Sequence, residues 1–284
     1  MTKNINILSL FDGISCTQIA LKNLGIKVSK YFASEIDKYP IQITQKNFPD
    51  TIQLGDIKDI KGKDLPEIDL VVAGSPCQGF SFAGKQKAFK DERSTLFFEF
   101  VRVLKEVKPK YFLLENVRMR KEFQEVINKA VGVEPILINS ALVSAQNRNR
   151  LYWTNIPGVE QPEDLGIILK DVLECNYIEV KGGAIRARSK DSKGKNVGWK
   201  ETKPKQVLEI RKDDKSNSLT SVTKDSVVIE EELNWRKLMP VEAERLQTVP
   251  DNYTEGVPST QRYKSLGNGF TVKVIEHILK NMEL

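Results

Sequence analysis

The chain has 284 residues, of which 40% are hydrophobic and 29% charged, a balance typical of a folded globular protein. Three cysteines and one histidine argue against a disulfide framework, a zinc site and a histidine-activated nucleophile. The sequence has no recognisable secretion signal or membrane-length apolar run, so we expect a cytoplasmic protein that needs neither a metal nor a membrane.

The net charge of +6 is concentrated in one stretch of the chain. Residues 181–215 contain twelve Lys or Arg and only five Asp or Glu. A stretch of this kind is often just a solvated surface. It also suits contact with a polyanion, because neutralised phosphates supply most non-specific affinity for nucleic acid.

The first half of the chain alternates short apolar runs with helical patterns. The runs are INILSLF, TQIALKNLG, VSKYFASEI, IDLVVAGSP, LFFEFVRVLKEV and KYFLLENV, between residues 5 and 117. This rhythm predicts βαβ units and a mainly parallel sheet covered by helices. In such sheets ligands bind beyond the carboxyl ends of the strands, so we expect the chemistry in the loops that follow them.

The second half changes character at about residue 179, where the chain becomes polar and rich in glycine and lysine. Short alternating apolar stretches over 207–231 predict strands with turns, and Pro240 is well placed near a helix start. A last helix is predicted over 272–282. We therefore predict a large α/β domain of residues 1–178 plus 262–284 and a smaller domain of residues 179–261.

The stretch LSLFDGIS, residues 8–15, predicts a strand, a glycine turn and a helix, the place where nucleotide-like ligands meet a helix N-terminus. No further glycines follow Gly13 to complete the dinucleotide fingerprint, which argues against a pyrophosphate site. Glu35 lies 22 residues after Gly13, the spacing of a ribose-binding acid. Asp56, after a third strand, is a candidate acceptor for an adenine amino group; both acids also fit solvated turns.

Three further candidates follow predicted strands. Cys77 stands after Pro76 at the end of an apolar strand, with polar and glycine neighbours, although an isolated cysteine is usually a small buried residue. Glu115 ends the next strand, where a solvated terminus is the alternative. Arg148 and Arg150 are two residues apart, a spacing that places both on one face of a strand.

These motifs together resemble those of the DNA cytosine-5 methyltransferases. The resemblance rests on SLFDGIS, Glu35, GSPCQGFSF, ENV, QNRNR, RKLMPVEAERLQTVPDNY and QRYKSLGNGF, and leaves only about residues 155–232 unmatched. SLFDGIS, YFASEI and LFFEF are also similar to the animal de novo branch. The short chain, without reader domains, fits a stand-alone bacterial or phage enzyme.

The resemblance implies a fold and a division of labour. It implies an α/β fold, a Rossmann-like S-adenosylmethionine-dependent methyltransferase domain, formed by residues 1–178 plus 262–284. Residues 179–261 would form a smaller, mainly β target-recognition domain. The substrate would be double-stranded DNA, whose target cytosine must be flipped out of the helix, and residues 79–95 would form a lid over it.

The resemblance also implies a role for each matched residue. Cys77 would attack carbon 6 of cytosine, Glu115 would bind the ring nitrogen N3, and Arg150 with Arg148 would bind the base carbonyl. The expected cofactor, S-adenosyl-L-methionine, would be bound by Phe11, Gly13, Ile14, Glu35, Ile36, Asp56, Ile57, Pro76, Leu96, Asn268 and Gly269. The expected DNA contacts are Gln78, Ser81, Arg186, Arg188, Lys190 and Ser218, and a monomer is expected.

Three positions depart from the family pattern. Ser15 replaces a second glycine, Ser218 stands where a threonine is common, and Phe270 follows Gly269 where smaller residues are usual. The closest alternative is the tRNA branch of the family, whose CFT signature this chain lacks. A non-catalytic homologue would have lost Cys77 or Glu115, and a dinucleotide-dependent reductase would need the missing glycine fingerprint.

Overall fold

The computed structural model describes residues 4–75, 92–174, 179–189, 203–230 and 234–284. The strands are β1 (Ile5–Leu10), β2 (Val28–Ser34), β3 (Ile52–Gln53), β4 (Leu70–Gly74), β5 (Tyr111–Val117), β6 (Ile136–Asn139), β7 (Gln146–Asn147), β8 (Asn149–Thr154), β9 (Lys181–Arg188), β10 (Lys205–Ile210), β11 (Ser216–Asn217), β12 (Val227–Ile229) and β13 (Trp235–Lys237). The helices are α1 (Cys16–Asn23), α2 (Lys38–Asn47), α3 (Glu92–Val107), α4 (Lys121–Val131), α5 (Pro240–Leu246), α6 (Ser259–Asn268) and α7 (Val272–Leu279).

The larger sheet has seven strands in the order β3-β2-β1-β4-β5-β8-β6. The first five are parallel, whereas β8 runs antiparallel to β5 and β6 antiparallel to β8. The chain leaves β1 toward β2 on one side and returns to β4 on the other, so the strand order reverses at β1. Such a switch point opens a crevice beyond the carboxyl ends of β1 and β4.

Alternating apolar residues bury both faces of this sheet. Ile7 and Leu70 face a core that also contains residues of α1 and α7, whereas Leu8 and Val71 face a core built with α3 and α4. Successive strand residues point to opposite faces, so an unbroken apolar run is what a covered central strand requires. The prediction of a parallel sheet with β4 near its centre is confirmed.

A smaller sheet, of order β10-β9-β12-β13, is antiparallel throughout. A separate short pairing joins β11 to β7, and Lys215 donates hydrogen bonds to the carbonyls of Ala141 and Ile167. The strands predicted over 207–231 are therefore present, and the β7–β11 pairing and the Lys215 side chain join them to earlier parts of the chain.

Helix α5 begins at Pro240, as predicted. Leu246, Val249 and Tyr253 pack in the same core as α1, although they belong to the predicted smaller domain of residues 179–261. The boundary itself stays a prediction. The last helix ends at Leu279 rather than at residue 282, because its buried apolar positions end there.

The predicted lid over 79–95 is only partly within the described chain. Residues 79–91 lie outside the described residues, and from Glu92 the chain is helical as the first turn of α3. The prediction of a loop is therefore wrong for residues 92–95, since the amphipathic helix pattern begins one turn earlier than expected. None of the helices in the described part of the chain is long and apolar enough to cross a membrane.

Candidate active site

Glu115 lies at the carboxyl end of β5, opposite Gly74 of β4. It is only 8% exposed, and its neighbour Asn116 donates a 3.0 Å hydrogen bond from Nδ2 to Oγ of Ser75. This bond joins the ends of the two central strands. The PCQ segment starts in sequence directly after Ser75.

Arg150, on β8, forms an ion pair with this carboxyl group. Nε of Arg150 lies 2.9 Å from Oε1 of Glu115, and both side chains are largely buried. Oε1 of Glu115 has no hydrogen-bond partner among the described residues. A buried carboxyl oxygen with a cation beside it and no hydrogen bond is a site where a polar ligand atom can bind.

Arg148 does not share the strand of Arg150, and this part of the strand prediction is wrong. The chain pairs β7 with β11, leaves the pairing at Arg148, and enters β8 at Asn149. The Arg148 side chain is 3% exposed and donates to residues 218–219 and 267–269 instead of facing Glu115. Burial lowers the pKa of the Arg148 guanidinium to about 10, so it stays charged at neutral pH.

The loop after β1 has an unusual backbone. Phe11, Gly13 and Ser15 have φ values of 56°, 60° and 55°, in the left-handed region. Gly13 donates its N–H to Oε2 of Glu35 at 3.0 Å, while Oε1 of Glu35 accepts the N–H groups of Ile36 and Asp37, each at 2.8 Å. The carboxylate thus sets the shape of the loop whose glycine was predicted to bind the cofactor.

A buried carboxyl group, Asp12, lies inside the same loop. Tyr31 donates its hydroxyl to Oδ1 of Asp12 at 2.8 Å, and Ser15 donates to Oδ2. Burial raises the pKa of Asp12 to about 6, against the lowering effect of these hydrogen bonds. Asp12 stands in the FDG stretch between two of the predicted cofactor residues, but no feature of that stretch marks it as a buried carboxyl group.

The remaining predicted cofactor residues lie on the neighbouring loops. Ile36 is 74% exposed, which is unusual for an isoleucine and leaves an apolar face beside Glu35. Oδ1 of Asp56 accepts the N–H of Lys58 and caps a short 3-10 helix whose first residue, Ile57, is buried. Leu96, on α3, packs against the core on that side of the sheet.

The carboxyl-terminal block folds back beside the first loop, as the resemblance implied. Asn268 is exposed, whereas Gly269 is buried at a point where a β-carbon would lie 3.3 Å from Sγ of Cys16 and 3.6 Å from Ile14. Burial raises the pKa of the Cys16 thiol to about 12, so it is a poor nucleophile. The structure therefore joins Gly13, Ile14 and Gly269 in one region.

Phe270 packs on Gly74, next to Glu115. A β-carbon at Gly74 would lie 2.8 Å from Cε1 of the Phe270 ring and 3.9 Å from Oε2 of Glu115. The absence of a side chain at Gly74 makes room for this ring. The unusual phenylalanine of the GNGF block is thus an apolar neighbour of the candidate catalytic carboxyl group.

The predicted DNA-binding arginines of β9 are paired with an acid. Glu209 on β10 accepts hydrogen bonds from Nη1 of Arg186 at 3.2 Å and from Nη2 of Arg188 at 2.9 Å. These contacts lower the pKa of Glu209, Arg188 contributing most. An open groove of about 380 Å³ lies beside them and is lined by Arg186, Glu209, Ile210, Arg211, Lys212, Asp213 and Asn217.

Ser218, also predicted to contact DNA, accepts a hydrogen bond from Arg148. Five predicted site residues, Pro76, Cys77, Gln78, Ser81 and Lys190, lie outside the described residues. Within the described ranges, no cluster of His, Cys, Asp and Glu side chains is arranged to hold a metal ion.

Two residues that support the site had no signal in the sequence reasoning. Tyr253 donates its hydroxyl to the carbonyl of Ile14 at 2.7 Å, and burial raises the pKa of that tyrosine. Gln247 is fully buried and donates to the carbonyls of Leu266 and Gly269. Both stand in the motif RKLMPVEAERLQTVPDNY, but their partners are distant in sequence and only the fold brings them together.

The fold agrees with that of solved methyltransferases. One is the Entamoeba histolytica methyltransferase EhMeth, with a TM-score of 0.73 over 98% of each chain and 19% identity. At this identity the likeness shows the fold alone, a Rossmann-like α/β methyltransferase fold.

The sequence comparisons identify the family. The family model of C-5 cytosine-specific DNA methylases matches residues 5–157 and 163–284. Type II methyltransferase M1.ScrFI of Lactococcus lactis subsp. cremoris is 35% identical, over 99% of this chain and 78% of the relative. Type II methyltransferase M.NlaX of Neisseria lactamica is 31% identical, over 98% and 96%. The chain belongs to the C-5 cytosine-specific DNA methylases, a family of enzymes.

Proposed function

We propose that this enzyme transfers a methyl group from S-adenosyl-L-methionine to carbon 5 of cytosine within a specific short sequence of duplex DNA. Family membership over nearly the whole chain supports the reaction. The single structural observation that supports it best is the buried ion pair of Glu115 and Arg150 beside the carboxyl end of β4, the strand that precedes the PCQ segment in sequence. The type II names of the relatives suggest a role in restriction and modification.

The residues around the first loop fit an adenosine-type cofactor. Oε2 of Glu35 accepts only one hydrogen bond among the described residues, and a carboxylate oxygen has two acceptor positions, so one remains for a ribose hydroxyl. Exposed Ile36 offers an apolar face suited to a purine ring. The cofactor supplies an electrophilic methyl group on a sulfonium, and Phe11, Gly13, Ile14, Asp56, Ile57, Pro76, Leu96, Asn268 and Gly269 complete its proposed site.

The chemistry requires activation of the base, because carbon 5 of cytosine is a poor nucleophile. Cys77, as a thiolate, adds to carbon 6 and forms a carbon–sulfur bond. Glu115 gives a proton or a strong hydrogen bond to N3, so the electron pair of the 5,6 double bond becomes available at carbon 5. After methyl transfer a base removes the carbon 5 proton, the thiolate leaves carbon 6, N3 returns its proton to Glu115, and the double bond is restored.

Arg150 has two proposed effects in this scheme. Its guanidinium holds the Glu115 carboxyl group in place, and it stabilises negative charge on the base carbonyl as the adduct forms. Phe270, on the neighbouring Gly74, excludes water from one side of the carboxyl group. Glu115 and Arg150 stand on paired strands of the larger sheet, which keeps these two side chains fixed while the base enters.

The target base must leave the duplex to reach this site, so we propose base flipping. The groove beside β9 and β10 is lined by Arg186, Arg211 and Lys212 and, together with Arg188 on β9, is the proposed surface for phosphates and base edges. Gln78 and Ser81 remain proposed DNA contacts on the strength of the motifs, and Lys190 on the strength of the basic stretch that contains it.

The test is to incubate the purified protein with S-adenosyl-L-methionine and a plasmid, and to locate 5-methylcytosine by bisulfite sequencing. Methylation at one recurring short sequence is expected. Absence of marks on DNA, with labelled methyl groups appearing on tRNA, would replace DNA by RNA as the substrate.

Two variants test the chemistry. Cys77→Ser is expected to abolish methylation while DNA binding persists. The matched control, Cys175→Ser, is expected to retain methylation. Glu115→Gln is expected to slow single turnover by about 10²- to 10⁴-fold, the range of general acid–base catalysis, with unchanged cofactor affinity. Turnover by the Cys77 variant would remove that thiol from the mechanism.

A further inference from the structure

Arg148 lies between two segments that are distant in sequence. Its Nη1 donates to Oγ of Ser218 at 3.2 Å and to the carbonyl of Leu219 at 2.9 Å. Its Nη2 donates to the carbonyls of Gly267 and Gly269, at 3.1 and 2.9 Å. All four acceptors are uncharged groups of the protein. A guanidinium used in this way joins the two segments and leaves those N–H groups no capacity for a substrate.

The same two segments also touch through their main chains. A β-carbon at Gly267 would overlap the carbonyl group of Thr220 and would lie 2.9 Å from the backbone nitrogen of Ser221. No side chain of Gly267 separates them, so a shift of either backbone displaces the other. Close packing makes such a contact rigid rather than compliant.

Arg148 also stabilises one end of a helix. Gly267 is in the last turn of α6 and Gly269 follows it, so their carbonyls are among those that a helix leaves without an internal partner. A cation at this end is favoured by the helix dipole. Arg148 therefore fixes the point at which the chain leaves α6.

A chain of buried amides runs parallel to this link. Oε1 of Gln146 accepts the N–H of Leu219 at 3.2 Å, and Nε2 of Gln146 donates to Oε1 of Gln247 at 2.9 Å. Gln247 in turn donates to the carbonyl of Leu266 at 2.6 Å and to that of Gly269 at 3.2 Å. The two segments are thus connected twice, through an arginine and through two glutamines.

The two linked segments belong to different parts of the proposed site. Residues 218–221 lie in the predicted target-recognition domain. Residues 267–270 contain the proposed cofactor contacts Asn268 and Gly269, and the Phe270 ring that packs on Gly74 beside Glu115. We propose that Arg148 is a positioning residue that couples DNA binding by the recognition domain to cofactor binding; the proposal rests on the function proposed above.

The competing interpretation, implied by the family resemblance, is that Arg148 contacts the cytosine itself. The two interpretations predict different effects of replacing Arg148 by lysine. Lysine keeps the charge but is a single point donor that cannot reach four acceptors in two segments. Loss of a base contact would slow the chemical step, whereas loss of the link would make the affinities for DNA and cofactor independent.

The experiment measures the dissociation constant of S-adenosylhomocysteine, which supports no turnover, with and without a duplex that carries the methylated site. For the wild-type enzyme, DNA is expected to tighten this binding by about fivefold or more, the lower end of measured coupling between sites. For Arg148→Lys the ratio of the two dissociation constants, without and with DNA, is expected to fall to within about twofold of one. Arg245→Lys, whose partners Glu174 and Asp251 lie outside both segments, serves as the control and should keep the wild-type ratio.

Ser218→Ala provides a second variant in case the lysine variant fails to fold, because it removes one of the four acceptors and leaves the rest. This variant is expected to reduce partially the ratio of the dissociation constants measured without and with DNA. Wild-type coupling in Arg148→Lys, or in Ser218→Ala if that variant alone folds, would overturn the proposal, as would a wild-type enzyme without coupling. Failure of the proposed function is seen separately, as absence of 5-methylcytosine in plasmid treated with the wild-type enzyme.

Discussion

Asp12 provides a test of how burial and hydrogen bonding act together in the first loop. Its pKa is raised from 3.8 to about 6 because burial outweighs the hydrogen bonds from Ser15 and Tyr31. The folded protein therefore binds this proton more tightly than the unfolded chain does. The stabilisation is fully present below pH 3.8 and is lost as the pH rises through about 6.

The expected change in the free energy of unfolding follows from the shift in the pKa of Asp12. About two pKa units correspond to about 3 kcal/mol of free energy of unfolding, at about 1.4 kcal/mol per unit. Asp12→Asn removes the titration while keeping an oxygen that accepts from Tyr31. Relative to the wild-type enzyme, the free energy of unfolding of Asp12→Asn should rise by about 3 kcal/mol between pH 4 and pH 7. Above pH 7 the difference between the two proteins should stay constant.

The assay is urea unfolding of both ligand-free proteins at half-unit steps from pH 4 to pH 8. Tyr31→Phe gives a second, independent change: it removes a hydrogen bond that lowers the pKa, so the midpoint should move to higher pH. A difference between wild type and Asp12→Asn that is flat over this range would refute the reasoning.

Three other changes test separate parts of the structure. Glu209→Gln removes the acidic partner of Arg188, while Arg186 keeps its ion pair with Asp225, and it adds one positive charge. The plot of log binding constant for non-specific DNA against log salt should therefore become steeper by about 0.9, and an unchanged slope would mean that Arg188 makes no phosphate contact. Gly74→Ala places a methyl group against Phe270 and should destabilise the protein by about 1–3 kcal/mol in thermal unfolding, with recovery when Phe270→Leu is added; no recovery would argue against this contact. Tyr253→Phe leaves the carbonyl of Ile14 without its hydroxyl donor and should weaken cofactor binding several-fold, measured by calorimetry. An unchanged affinity would show that this hydrogen bond does not hold the cofactor loop in place.

The sequence by itself predicted the elements that depend on local pattern. Apolar runs such as IDLVVA require burial on both faces, and this is the environment of β4 in the sheet. Glu115 follows its run directly, so its place at a strand end needed no knowledge of the fold. The motifs also indicated the family, because each is a short local block that needs no tertiary contact to be recognised.

The tertiary structure decided which of these residues meet. Arg148 and Arg150 are equivalent by spacing, yet one joins residues 218–219 to 267–269 and the other pairs with Glu115. The difference arises because β7 pairs with β11, about 70 residues further along the chain, while β8 pairs with β5.

The tertiary structure also decided which charged side chains are paired and which side chains pack together. Arg186 and Arg188 stand in a basic stretch of the sequence, but in the fold they are paired with Glu209 on the neighbouring strand. Phe270 packs on Gly74, which is almost 200 residues away in sequence. Local composition sets which side chains are available, because propensity and polarity act over a few residues. Pairing register and close packing act between distant segments, and they alone determine whether an arginine binds a substrate, an acid or another part of the chain.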